Sequence, residues 1–68
     1  MEKTLGSIFK EARANRGLTL RDMETRTGVS HPMISQIETG RVAAPSFRTV
    51  VKIAAELKLS LKTLARSA

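Results

Sequence analysis

Between Thr19 and Gly40 the chain reads TLRDMETRTGVSHPMISQIETG. The residues here suit hydrogen bonding and charge, not bond making. From His31 onward, Ile34 and Ile37 recur at helical spacing and give a short helix an apolar back. His31, Pro32, Ser35 and Gln36 are left on its front, with Met33 at the margin. A polar front on an apolar-backed helix suits entry into the major groove of duplex DNA. There a Gln36 amide can bond bidentately to adenine N7 and N6. The His31 imidazole can donate or accept at a base edge, or reach a phosphate. Pro32 has no N–H and offers apolar surface, which suits a thymine methyl.

Two local signals must position that front. Thr19 is a good N-cap, and Asp22 three residues on comes close to a capping box. Leu20, Met23 and Thr27 share one face of the helix that follows. Gly28 ends it, because glycine takes a left-handed turn without steric cost. Val29 plugs the turn. Ser30 can cap the next helix, which ends at Glu38-Thr39-Gly40. Pro32 pushes His31 away from helical geometry, so His31 is an alternative cap with Pro32 first in the helix. At the start of the earlier helix, free N–H groups at Thr19, Leu20 and Arg21 favour an anion. Arg41, Ser46 and Arg48 flank the other side. These six are the expected phosphate contacts.

Composition narrows the function classes. Sixty-eight residues make one small domain, spanning 1–68. With no Cys, neither a disulfide framework nor a thiolate metal site can form. One His cannot build a metal cluster or a catalytic triad. No catalytic residue, metal or cofactor is therefore expected, and an enzyme is disfavoured. No apolar run reaches membrane-spanning length, and MEKTLGSIF lacks a signal-peptide pattern, so a cytoplasmic protein off the membrane is expected. Twelve Lys and Arg against six Asp and Glu give a net charge of +6, which favours a polyanion partner.

Periodicity predicts an all-α chain of five short helices. Thr4 caps a first helix to about Asn15, with Leu5, Ile8, Phe9 and Ala12 facing inward. Within it, Gly6 costs about 1 kcal/mol of helix preference against Ala. Gly17 ends the helix and Leu18 anchors the link. The helix-turn-helix pair occupies about 19–39. Arg41 to Pro45 is a loop with an apolar middle. Ser46 caps a fourth helix from Phe47 to about Leu57, with Phe47, Val50, Val51, Ile53, Ala54 and Leu57 as its apolar stripe. Ser60 caps a short last helix packed down by Leu61 and Leu64. With both Phe residues in the core, no stacking platform remains for single strands.

These residues carry a resemblance. Gly17-Leu18-Thr19, Gly28-Val29-Ser30, Ile34-Ser35, Ile37-Glu38, Gly40-Arg41 and Pro45-Ser46, followed by Val50, Ile53, Ala54 and Leu57, resemble the Cro and phage-repressor helix-turn-helix family. The likeness runs from about Leu5 to Leu64. It implies a compact, five-helix, lambda-repressor-like domain that regulates transcription by binding double-stranded DNA. The expected action is repression by occupancy, as a homodimer on a two-fold operator. The protein would be nucleoid-associated when bound. It implies base contacts from His31, Pro32, Ser35 and Gln36, and it supports Arg41 most strongly at phosphate. Glu38 sits at a helix C-terminus, where the dipole disfavours negative charge. In the family an arginine of the first helix compensates, and Arg13 matches that position. The family also places the loop Val42-Ala43-Ala44 and the last helix, with Leu61 and Leu64, near the two-fold axis; the loop's apolar composition itself suggests a covered surface. An alternative is an antitoxin-like module whose other face engages a protein partner.

Three places in the chain depart from the family pattern. Leu20 stands where Gln is common, which removes an amide that often touches phosphate. Glu24 stands where a small residue is common, so either the second helix sits slightly off or the carboxylate reaches solvent. His31-Pro32 opens the recognition helix, so base preference cannot be carried over from a relative.

Overall fold

Hydroxyl side chains start each of the helices. Thr4, Thr19, Ser30 and Ser46 are extended at the backbone and accept a hydrogen bond from the N–H three residues on, at 3.1, 3.0, 3.4 and 3.2 Å. Each bond satisfies a donor that the helix itself cannot. In the computed structural model, which describes residues 4–60 with Lys62 and Leu64, the helices are α1 (Leu5–Asn15), α2 (Leu20–Thr27), α3 (His31–Glu38) and α4 (Phe47–Glu56). All the described elements are α-helical, as expected, but they number four where five were expected. The fifth falls mostly outside the described residues. Lys62 and Leu64 are helical, and the Leu64 N–H bonds the Ser60 carbonyl at 3.2 Å.

α3 packs between α1 and α2, and α2 also packs on α4. One core joins them: Phe9, Met23, Ile34, Ile37, Ile53, Ala54, Leu57 and Leu64. Fully burying one such large side chain stabilises by about 1.5–3 kcal/mol, a sizeable share of a small domain's stability. Leu5, Ile8, Ala12, Leu18, Val29 and Val42 pack around that core.

The α4 stripe is narrower than the sequence suggests. Ile53, Ala54 and Leu57 are buried, but Phe47 is 72% exposed and Val51 37% exposed. Phe47 is the first residue of α4, one turn before Val51, so the two share an outward strip. The expectation that both Phe residues lie in the core is therefore wrong for Phe47. Helical spacing makes the stripe visible but does not say how much of its width the rest of a small chain can cover.

Gly6 explains how α1 and α3 come so close. A Cβ at Gly6 would collide with the Ile37 carbonyl oxygen and lie 2.9 Å from the Glu38 carbonyl oxygen. Backbone meets backbone there, and only a residue without Cβ fits. The crossing sets α3 against α1 and turns its opposite side outward.

Candidate nucleic-acid interface

The turn that aims α3 is held by three interactions. Gly28 is left-handed at φ 78° and donates its N–H to the Glu24 carbonyl at 2.8 Å. The Thr27 hydroxyl donates to the Met23 carbonyl at 2.7 Å and accepts from the Val29 N–H at 3.0 Å. Val29 packs against the core, as its apolar character predicts. Ser30 is the cap of α3, and His31 and Pro32 lie inside the first turn. The open choice of cap is thereby settled: at this place a missing proline N–H leaves no intrahelical bond broken.

α3 buries Ile34 and Ile37, each 1% exposed, and turns its front outward. Pro32 and Gln36 are exposed, while His31 and Ser35 are half-buried on the same outward side. Among the described residues, the side chains of His31, Ser35 and Gln36 form no hydrogen bond within the molecule. Their polar groups remain available to a partner.

Arginines divide into two sets. Arg13 donates Nε to Glu38 Oε2 at 2.8 Å, Nη2 to Oε1 at 3.0 Å, and Nη1 to the Leu18 carbonyl at 2.7 Å. The Arg13 and Glu38 side chains are 15% and 5% exposed, and the carboxylate raises the Arg13 pKa through that hydrogen bond. Arg16 donates to the Glu56 carbonyl, and Arg26 pairs with the Glu56 carboxylate at 3.2 Å. By contrast Arg21, Arg41 and Arg48 are exposed, and among the described residues none has an internal partner. They stand at the start of α2, just after α3 and at the start of α4.

The remaining expected phosphate contacts are partly committed. The Thr19 N–H donates to Asp22 Oδ2 at 2.8 Å and its hydroxyl accepts the Asp22 N–H at 3.0 Å. This is a complete capping box, and the hydrogen bonds that the Asp22 carboxylate accepts from Thr19, the one from its backbone N–H foremost, hold that carboxyl below its ordinary pKa. The free N–H groups at that helix start are those of Leu20 and Arg21. Ser46 likewise accepts from the Thr49 N–H and donates its hydroxyl to Thr49 Oγ1 at 3.0 Å. At α4 the N–H groups of Phe47 and Arg48 remain.

Glu24 does not reach freely into solvent. It is half-buried, and its carboxylate accepts the His31 N–H at 3.0 Å. The spacing of seven residues across a helix-turn-helix is the signal that could have found it.

The expected dimer residues are dispersed. Val42 is half-buried against the core, and its N–H bonds the Gln36 carbonyl at 3.1 Å. Leu64 is 7% exposed and belongs to the core; Leu61 lies outside the described residues. Ala43 and Ala44 are exposed, as is Phe47 three residues after Ala44. No group of three or more His, Cys, Asp or Glu residues among the described residues could hold a metal, and no described helix is long and apolar enough to cross a membrane.

The helix-turn-helix family profile matches residues 9–64. RghRB of Bacillus subtilis, named an uncharacterised HTH-type transcriptional regulator, is 35% identical over 63 residues, covering 93% of this chain and 45% of that protein. The similarly named y4dJ of Sinorhizobium fredii is 37% identical over 60 residues, covering 88% of this chain and 77% of that protein. This chain thus spans less than half the length of the first relative. The structure of YmfM from Staphylococcus aureus superposes with a TM-score of 0.79 at 26% identity, covering 96% of this chain and 85% of that one.

Proposed function

The chain belongs to the Cro and phage-repressor type of helix-turn-helix family, and from that premise we propose that it is a sequence-specific regulator of transcription that binds duplex DNA. The observation that carries this reading is the α3 front, its polar side chains unpaired, together with Arg21, Arg41 and Arg48, exposed and unpartnered. α3 enters the major groove, where Gln36 reads adenine, and His31, Pro32 and Ser35 complete the base contacts. Arg21, Arg41 and Arg48, with the N–H groups of Leu20, Arg21, Phe47 and Arg48, hold phosphates. Thr19 and Ser46 position those N–H groups through their caps. The action is binding, not catalysis, and needs no cofactor; repression follows from occupancy of the operator in the cytoplasm.

One domain of this size covers little DNA, so useful affinity calls for two copies on a two-fold site. Exposed Ala43 and Ala44, which follow α3 in the chain, and the Phe47–Val51 strip offer apolar surface that supports a homodimer, weak in solution and tightened on DNA. Recognition helices would then lie about 34–36 Å apart, one turn of B-DNA. The same strip supports a second reading, an antitoxin-like module that binds a protein partner as well as its own operator. A lone exposed Phe does not make the succession of stacking surfaces that single strands use.

Selection from random duplexes tests the proposal. A two-fold consensus with half-sites one turn apart is the expected outcome. No enrichment over the starting pool rejects sequence-specific binding, and an asymmetric single half-site rejects the dimer. Capture of a neighbouring gene product through the Phe47 strip, with no DNA enrichment, favours the second reading.

A further inference from the structure

Glu24 lies on α2, yet it serves both ends of the turn. Its carbonyl takes the Gly28 N–H at 2.8 Å, and its carboxylate takes the His31 N–H at 3.0 Å. The other donors in the first turn of α3 are engaged too. Pro32 has none. The Met33 N–H reaches Ser30 Oγ at 3.4 Å, and the Ile34 N–H bonds the Ser30 carbonyl at 3.0 Å.

α3 therefore begins differently from α2 and α4, which keep free N–H groups at Leu20, Arg21, Phe47 and Arg48. Free N–H groups at a helix start attract phosphate whatever the base sequence. A carboxylate in that place removes the donor and adds a repelling charge. The first turn of a recognition helix is also the part closest to the base edges. Whatever that turn prefers to bind sets the register of His31, Pro32, Ser35 and Gln36.

We infer that Glu24 is a positioning residue that determines specificity: by occupying the His31 N–H with a carboxylate, it closes the start of α3 to phosphate and reserves that end for base edges. The inference rests on the duplex-DNA reading above. It assigns Glu24 no base contact of its own.

Two variants separate bond from charge. Glu24→Ala removes the acceptor and the charge, whereas Glu24→Gln keeps an acceptor at the same reach. Wild type and both variants are titrated with the selected duplex and with a random duplex over a range of salt. For Glu24→Ala we expect tighter random binding, weaker selected binding, a specificity ratio reduced about tenfold, and a random-duplex salt slope steeper by about one phosphate. Glu24→Gln retains most of the ratio. A purely structural role predicts something else: a lower melting temperature with both affinities reduced by one common factor, which overturns the inference. So does an unchanged ratio in Glu24→Ala.

Amide exchange of the free protein supplies a test without DNA. The His31 amide is expected to be protected in wild type and Glu24→Gln and to exchange freely in Glu24→Ala. An unprotected His31 amide in wild type overturns the inference whatever the protein binds. If wild type shows no preference among duplexes while His31 remains protected, the DNA reading itself has failed and the specificity role falls with it.

Discussion

Toward α1, helix α3 presents groups that are all matched; on its other side it presents groups that are not. On the inner side, Ile34 and Ile37 are buried, the Glu38 carboxylate takes two bonds from Arg13, and Gly6 admits the Ile37 and Glu38 carbonyls at backbone contact. On the outer side, the polar side chains of Ser35 and Gln36 have no internal partner, and neither has the Arg41 guanidinium that follows the helix. The arginines also divide by pairing, although of the paired ones only Arg13 is half-buried. Arg13, Arg16 and Arg26 are paired within the molecule, and Arg21, Arg41 and Arg48 are not. Burial makes an unmatched charge costly, so inner groups must be satisfied internally. Water satisfies the outer groups until a partner replaces it. Substitutions on the two sides should therefore fail in different assays.

The largest effect should come from Arg13→Ala. It leaves the Glu38 carboxylate, whose side chain is 5% exposed, without its guanidinium, and breaking a part-buried two-bond pair this way should cost about 2–4 kcal/mol, somewhat less than for a fully buried pair. Urea unfolding would show it. A double-mutant cycle without coupling between Arg13 and Glu38 would break the inner half of the comparison. Gly6→Ala comes next. Forcing a Cβ against two carbonyls in a close-packed seam should cost about 1–3 kcal/mol, despite the better helix preference of Ala. An unchanged melting temperature would mean that α1 and α3 do not meet there.

On the outer side, Gln36→Ala should weaken binding to the best operator by about 1–3 kcal/mol, with random-duplex binding and melting temperature nearly unchanged. Equal losses on both duplexes would remove Gln36 as a base reader. Arg41→Ala should weaken all duplexes alike and flatten the salt dependence by about one charge. A sequence-selective loss at constant salt slope would contradict a phosphate contact.

The smallest effect sharpens the comparison at an exposed cap. Asp22 has a lower pKa folded than unfolded, so its stabilisation is present above the ordinary carboxylate value and fades as pH falls through the lowered one. Asp22→Ala should melt slightly lower than wild type at neutral pH and together with it in strong acid. A gap that persists in acid would show that the cap does not depend on the charge.

How much of this was legible depended on range. Helix starts were readable because Thr4, Thr19, Ser30 and Ser46 act on donors only three residues away. The turn at Gly28 and the inward Ile34 and Ile37 were readable for the same reason. The Arg13–Glu38 pair spans 25 residues and came only from the family resemblance, with the dipole at Glu38 as a local hint. For Gly6 the sequence offers a cost to the helix and close packing only as an option, because the deciding reason lies in two carbonyls of another helix. Exposure of Phe47 is not legible in the sequence because a period identifies a face, not its cover. Glu24 read as a departure from pattern, and only the approach of α2 to α3 shows what its carboxylate holds.

The central claim is that the inner side of α3 holds the fold and the outer side holds the ligand. Amide shift mapping of the labelled protein against the selected duplex tests it directly. The largest changes are expected at His31, Ser35 and Gln36, followed by Leu20, Arg21 and Arg41, with Gly6, Phe9 and Ala12 nearly still. Large changes at Gly6 to Ala12 with a silent α3 front would contradict it.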